Sequence, residues 1–126
     1  MSSVIDTSAI LAVHKSESGS EVARRQARGA LVSAVSHAEV VSYLVRAGHS
    51  MTLARGLAAA LAYVVVPFDE VQAEECGRLQ RFTHHLRLSL ADRACLALAR
   101  LGGHEVVTAD RSWAKLSIGV MIRTIR

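Results

Sequence analysis

Ser89-Leu90-Ala91-Asp92-Arg93-Ala94-Cys95-Leu96-Ala97-Leu98-Ala99 runs on through Gly102-Gly103 into Glu105-Val106-Val107-Thr108 and then Asp110. Ser89 is a helix N-cap with an acid three residues on, a capping box with the less usual Asp in last place. The apolar run behind it predicts a helix that ends near Leu101, where the glycine pair stops it. Residues 105–108 then read as a short, buried strand. A helix handing over to a buried strand is half of a βαβ unit.

The same grammar recurs along the chain. Ser3–Asp6 reads as a strand and Thr7–His14 as a helix. After a loop over Ser16–Ser20, Glu21–Arg28 is a short basic helix, and Leu31–Ala34 is a strand entered from Gly29. Ser36 reads as the cap of a helix from His37 to Ala47, and Ser50 as the cap of one from Met51 to Ala62. Tyr63–Val66 is a strand stopped by Pro67. Asp69 and Gln72 form a capping box for a helix over Glu70–Leu86. Ser112–Leu116 is a helical turn, and Val120–Ile125 a last, edge strand. Strands alternating with helices predict an α/β fold: one domain over residues 1–126, a three-layer α/β/α sandwich on a parallel sheet of four to five short strands. No linker, low-complexity tract or internal repeat interrupts it.

Four acids stand out against that frame. Asp6 and Asp110 follow apolar strands, and Glu39 and Asp92 each lie three residues after a serine. In an open α/β sheet, such junctions share the edge outside the carboxyl ends of the strands. Carboxylates gathered there repel one another and invite a hard divalent cation, Mg²⁺ or Mn²⁺ rather than zinc. Singly, each acid is also explained as a helix cap or a complement to a helix dipole. Thr7, Ser8 and Thr108 put hydroxyls beside the acids, either to hold metal-bound water or to cap backbone groups. Arg93 and Arg111 each follow one of the acids; they could contact substrate phosphate or hold the acids in salt bridges. Trp113 reads as core or as the rim of the site.

Net charge is +4, and 13 of the 15 basic residues are arginine. With the four acids set aside, seven remain, which leaves the rest of the surface at +8. A basic surface around an acidic centre suits a polyanionic substrate. With only Tyr43, Tyr63, Phe68, Phe82 and Trp113 as aromatics, a base-stacking platform is not expected. Cys76 and Cys95 sit in apolar helical runs as core residues, with no metal spacing. Neither a Gly-rich phosphate loop nor a nucleophile elbow is present. The N-terminus does not read as a signal peptide, and Leu57–Phe68 is too short to span a bilayer, so a cytoplasmic location is expected.

Asp6-Thr7-Ser8-Ala9, Ala38-Glu39-Val40, the Ser89–Ala99 run and Thr108-Ala109-Asp110-Arg111-Ser112-Trp113-Ala114 together resemble PIN-domain nucleases, and among these the VapC toxins of bacterial toxin–antitoxin pairs. The resemblance covers nearly the whole chain. It implies a Mg²⁺-dependent endoribonuclease with Asp6, Glu39, Asp92 and Asp110 as metal-binding catalytic acids. It also implies a homodimer and inhibition by a small VapB-like antitoxin. The helices over Glu21–Arg28, His37–Ala47 and Met51–Ala62 are the expected antitoxin groove. The family usually carries Gly where this chain has Ala91, and often where it has Arg87. The competing reading is a catalytically silent module of the same fold that binds RNA or protein. An aspartate phosphotransfer domain fits less well, because Asp6 has no acidic neighbour in sequence.

Overall fold

The computed structural model describes residues 2–126. Five parallel strands form one sheet: β1 Ser3–Ile5, β2 Leu31–Ser33, β3 Val64–Val66, β4 Glu105–Thr108 and β5 Ile122–Thr124. Their order is β3-β2-β1-β4-β5, and each pairs parallel to its neighbours. The helices are α1 Thr7–His14, α2 Ser20–Ala27, α3 Ala34–Arg46, α4 Met51–Ala59, α5 Glu70–Thr83 and α6 Leu90–Gly102. Short 3₁₀ turns cover His84–Leu86 and Arg111–Lys115.

Strand alternation sends neighbouring side chains to opposite faces of the sheet. Ile5, Val32 and Val107 pack under α1 to α4 with Ala9, Ile10, Val13, Ala23, Val40, Leu44 and Ala54. Val4 and Val106 pack against α5 and α6 with Leu79, Cys95, Leu96 and Trp113. These two apolar layers make the three-layer sandwich. Alanines recur in both, which lets the helices lie close to short strands.

Three local readings need correction. β2 ends at Ser33, and Ser33 itself caps α3 by accepting from the Val35 N–H (3.2 Å). The helix therefore starts three residues before His37, and Ser36 and Glu39 make no capping box. Ser36 is buried in the helix with no partner for its hydroxyl. Apolar Ala34 looked like strand because an apolar run carries no period of its own. Asp69 does cap α5 (Gln72 N–H, 2.9 Å), but the Gln72 side chain donates to the Pro67 carbonyl (3.0 Å), so that box is only half formed. α5 stops at Thr83, whose hydroxyl donates back to the Leu79 carbonyl at 2.8 Å and competes with the backbone ladder.

Arg87 sits in the left-handed region at φ 54°. A side chain there costs about 1 kcal/mol. Arg87→Gly is therefore expected to leave stability unchanged or raise it slightly despite the entropy of glycine, as read by thermal melts. A clear fall in melting temperature would mean the guanidinium makes a contact worth more than the strain.

Among the described residues, Glu75 is the one buried carboxylate away from the acidic edge. It accepts a two-pronged contact from Arg78 (2.7 and 2.8 Å) and a bond from Arg100 (3.0 Å), tying α5 to α6. Those arginine bonds and charges hold its carboxyl below the usual range, against burial. Glu75→Ala leaves two guanidinia facing each other and is expected to cost about 1–2 kcal/mol, discounted because both arginines are well exposed. Since the folded carboxyl titrates lower than the unfolded one, this contribution is present above pH 4.5 and lost as pH falls through the folded value. Urea melts at neutral pH and at pH 3 test it; equal losses at both would contradict it.

Candidate active site

The sheet order reverses at β1: the chain steps from β1 to β2 on one side and reaches β4 on the other. The crevice between the carboxyl ends of β1 and β4 is the switch point where open α/β sheets bind ligands. Asp6 follows β1 at that point, and Asp110 follows β4. Asp92 enters from the first turn of α6.

Asp6 caps α1 and is 2% exposed. Its Oδ2 accepts from the Ser8 hydroxyl (2.6 Å), the Thr108 hydroxyl (3.0 Å) and the Ser8 N–H (3.3 Å). Its Oδ1 is buried with no partner among the described residues. Burial first, and the Asp92 charge third after the opposing Ser8 bond, push the carboxyl up from 3.8 to about 6. Burial and the same two carboxylates also push the Cys95 thiol well up, so that sulfur is an inert core atom between them.

The other two aspartates repeat the arrangement. Asp92 accepts the Ser89 N–H on Oδ2 (2.9 Å), closing the capping box, and Asp110 accepts the Ser112 N–H (2.9 Å) and hydroxyl (2.6 Å) on Oδ1. In all three aspartates one oxygen caps a helix or turn. No hydrogen bond among the described residues reaches the other oxygen. Capping and ligand duty, read from the sequence as alternatives, are compatible because a carboxylate has two oxygens.

Two hydroxyls hold this together. Ser8 Oγ accepts from the Ala109 N–H (3.0 Å) while donating to Asp6, and Thr108 Oγ1 accepts from the Asp110 N–H (3.1 Å) while donating to Asp6. Both stitch α1 to the end of β4. Thr7 does not join them: its hydroxyl is buried without a partner, and the residue lines a groove between α1 and α3. That groove, about 500 Å³, also holds Glu39, Tyr43 and Arg46. Glu39 is exposed on the groove wall and makes no hydrogen bond among the described residues. Among the described residues, no three Asp, Glu, His or Cys side chains already close on a point to cage an ion. The acids share an edge; they do not form a finished cage.

Thr108→Val removes one of the three donors that stabilise the charged Asp6. Its carboxyl is expected to titrate at higher pH than in the parent chain, as followed by ¹³C NMR of the carboxyl. An unchanged titration would show that the Thr108 bond does not help to hold the carboxylate charged.

Among the described residues neither Arg93 nor Arg111 forms a salt bridge with the acid it follows; each donates to a backbone carbonyl. Arg93 is half-buried and donates to the Cys76 carbonyl (3.0 Å), bracing α6 against α5. Arg111 donates to the Arg126 carbonyl (3.0 Å), fastening the last residue to the turn after β4. Trp113 is core, 1% exposed, and anchors the turn that carries Asp110. The expected apolar face of α2 is also absent: Val22, Ala23 and Ala27 pack into the core. What α2 exposes is charge.

A family model described as the PIN domain matches residues 3–119. The chain belongs to the PIN domain family. Solved structures carry the same fold. A toxin–antitoxin complex from Klebsiella pneumoniae aligns at TM-score 0.76 and 18% identity, over 99% of this chain and 98% of that one. A DNA-bound VapBC from Salmonella typhimurium aligns at 0.74 and 15%, over 100% and 99%. A VapC toxin of Mycobacterium tuberculosis, described as cleaving the sarcin–ricin loop, aligns at 0.71 and 18%, over 95% and 99%. No curated protein matches the chain by sequence. At these identities, the neighbours establish how this PIN domain is folded. What its acids do has to be argued from the acids. Among its described residues no helix is long and apolar enough to cross a membrane.

Proposed function

We propose that this PIN domain is the toxin of a toxin–antitoxin pair, a Mg²⁺-dependent endoribonuclease acting at Asp6, Asp92, Asp110 and Glu39. One observation carries the reading: a buried carboxylate with an unpartnered oxygen, held beside a second carboxylate. Lifting Asp6 from 3.8 to about 6 costs the folded state roughly 3 kcal/mol at neutral pH. A silent binding module draws no benefit from that cost. A cation does, because it turns the same repulsion into binding energy. The donor set of hard oxygens, one open on each aspartate, fits Mg²⁺ with Mn²⁺ as substitute.

In this reading Asp6 is the central ligand, and Asp92, Asp110 and Glu39 complete the acidic wall. Ser8 and Thr108 fix the Asp6 plane by bonding Oδ2, which leaves Oδ1 without a protein donor among the described residues. A bound divalent ion would supply an activated water and charge neutralisation at the scissile phosphate. The protein's own task is to hold the carboxylates in place without reorganisation and to admit the RNA backbone along the groove.

Incubating the purified protein with RNA in Mg²⁺, in EDTA, and as the Asp92→Asn variant tests the proposal. Cleavage is expected only in the first case. Full cleavage in EDTA, or by the variant, would end it.

The antitoxin belongs to the same reading. Val45, Met51 and Leu53, each 42–49% exposed, form the apolar surface where α3 passes into α4. The groove lined by Leu11, Val35 and Tyr43 leads from α3 to the acids. A small partner bound there would cover Glu39. Hydrogen exchange with the co-expressed partner should protect α3 and α4 and leave the exposed face of α2 unprotected; the opposite pattern would move the interface. A homodimer is expected alongside, and light scattering of the free toxin reads it.

A further inference from the structure

The end of the sheet opposite the acids carries an arginine cluster that the catalytic reading does not use. Arg24, Arg25 and Arg28 are exposed on the last turns of α2. Two adjoining concavities share Arg25 and Arg28. One, about 340 Å³, is completed by Arg24 and by Ala60 and Leu61 after α4. The other, about 250 Å³, is completed by Ser2, Ser3, Gln26, Gly29 and Ala30. The walls are fixed: the Gly29 N–H donates to the Ala62 carbonyl at 2.8 Å, locking the turn into β2 against the turn into β3.

No carboxylate among the described residues lies within salt-bridge distance of these three arginines. Glu21, one turn earlier on α2, pairs with none of them, and Glu105 is already engaged by Arg123 (3.4 Å) and the Ser3 hydroxyl (2.9 Å). The positive field reaches further: burial first, then the Arg24 charge and His49, hold the His14 imidazole below its ordinary range. Cations at a helix C-terminus are favoured by its dipole, but guanidinia one turn apart also repel. The cluster therefore costs the free protein something that a bound anion would return.

We infer that Arg24, Arg25 and Arg28, with the Gln26 amide, form a phosphate-binding exosite for a folded RNA. The inference rests on the proposed ribonuclease reading for the nature of the polyanion. Guanidinium forks match phosphate oxygens. Only Ala30, Ala60 and Leu61 in the two linings carry apolar side chains, and the apolar face of α2 is spent on the core, so little is left to seat an acidic peptide helix. The geometry also defines the substrate. The acids lie beyond the carboxyl ends of β1 and β4, whereas the arginines sit before the first residue of β2. A few unpaired nucleotides at the acids would not reach the arginines; a folded RNA that wraps the sheet end would.

The test compares binding of a hairpin RNA, by fluorescence anisotropy across a salt series, to two proteins in an Asp6→Asn background with EDTA. One carries Arg24→Gln, Arg25→Gln and Arg28→Gln; the other loses equal charge through Arg55→Gln, Arg81→Gln and Lys115→Gln. The α2 variant is expected to lose about tenfold in affinity at low salt, with the salt slope shallower by about 2–3. The scattered variant should lose much less. Equal losses in both, or displacement of the hairpin by polyglutamate as readily as by RNA, would overturn the exosite. Cleavage of a short single-stranded RNA by the wild-type site should be untouched by the three α2 changes. Failure of the wild type to cleave it would strike the ribonuclease reading and leave the hairpin measurement standing.

Discussion

Asp6→Asn is expected to abolish Mg²⁺-dependent RNA cleavage and, in metal-free buffer, to raise the stability of the protein. The two effects share one cause. Asp6 is buried, its Oδ1 has no hydrogen bond, and Asp92 stands within its field. Asparagine keeps the acceptor that Ser8 and Thr108 use and still caps α1, so nothing structural is lost. What disappears is a buried charge whose carboxyl titrates at about 6 against 3.8 when exposed. That difference is worth roughly 3 kcal/mol as an upper figure.

The pH dependence follows with its sign. The folded state holds the Asp6 proton more tightly than the unfolded chain, so between about 6 and 3.8 the native protein binds more protons. The metal-free parent should gain stability from this group as pH falls through that window, and lose it as pH rises. The Asn variant should lack that slope. Mg²⁺ should stabilise the parent at neutral pH and leave the variant unmoved, since a ligand that binds only the native state shifts unfolding by mass action. Thermal melts at pH 5 and pH 7, in EDTA and in Mg²⁺, read all of this. A variant less stable than the parent at pH 7 would show that Asp6 is structural, and a variant that still cleaves RNA would show that it is not the ligand.

Trp113→Ala should be the most damaging core change. The indole is the largest fully buried side chain, packed with Val4, Val106 and Leu96 between the sheet and α6. Truncation removes its contacts and leaves a cavity, for about 3–5 kcal/mol. That is a large part of the 5–15 kcal/mol a domain of this kind has in total. Trp113→Phe should cost far less than area alone implies, because the indole Nε1–H is buried without an acceptor and its removal returns a desolvation cost of about 1–3 kcal/mol. Urea unfolding of the two variants separates these terms. If Phe proved as harmful as Ala, the N–H must be bonded in solution. Because Trp113 anchors the turn after Asp110, the Ala variant should also lose activity before it loses its fold.

Most strands and helices were legible from the chain, since apolar runs between turn residues and Ser, Asp or Gly punctuation mark them. Asp6, Asp69, Ser50 and Ser89 act as the caps their positions announced. The start of α3 was not legible. Ser33 and Ser36 are equally good caps, and the choice falls to Ser33 because pairing of β2 with β3 ends there. The roles of Arg93 and Arg111 were not legible either. Proximity in sequence to an acid says nothing about direction, and on a helix adjacent residues point apart. Arg93 turns to the Cys76 carbonyl for that reason.

By itself the sequence determined the alternation of elements, the parallel sheet and the junctions at which three of the four acids stand. These are local matters of period, propensity and capping. Only the tertiary structure decided that Asp6 alone of the four is buried, that Glu39 stands on the wall of a groove, and that each aspartate caps with one oxygen while the other stays bare. Burial and orientation depend on which strands become neighbours, and that is fixed by the packing of residues a hundred positions apart.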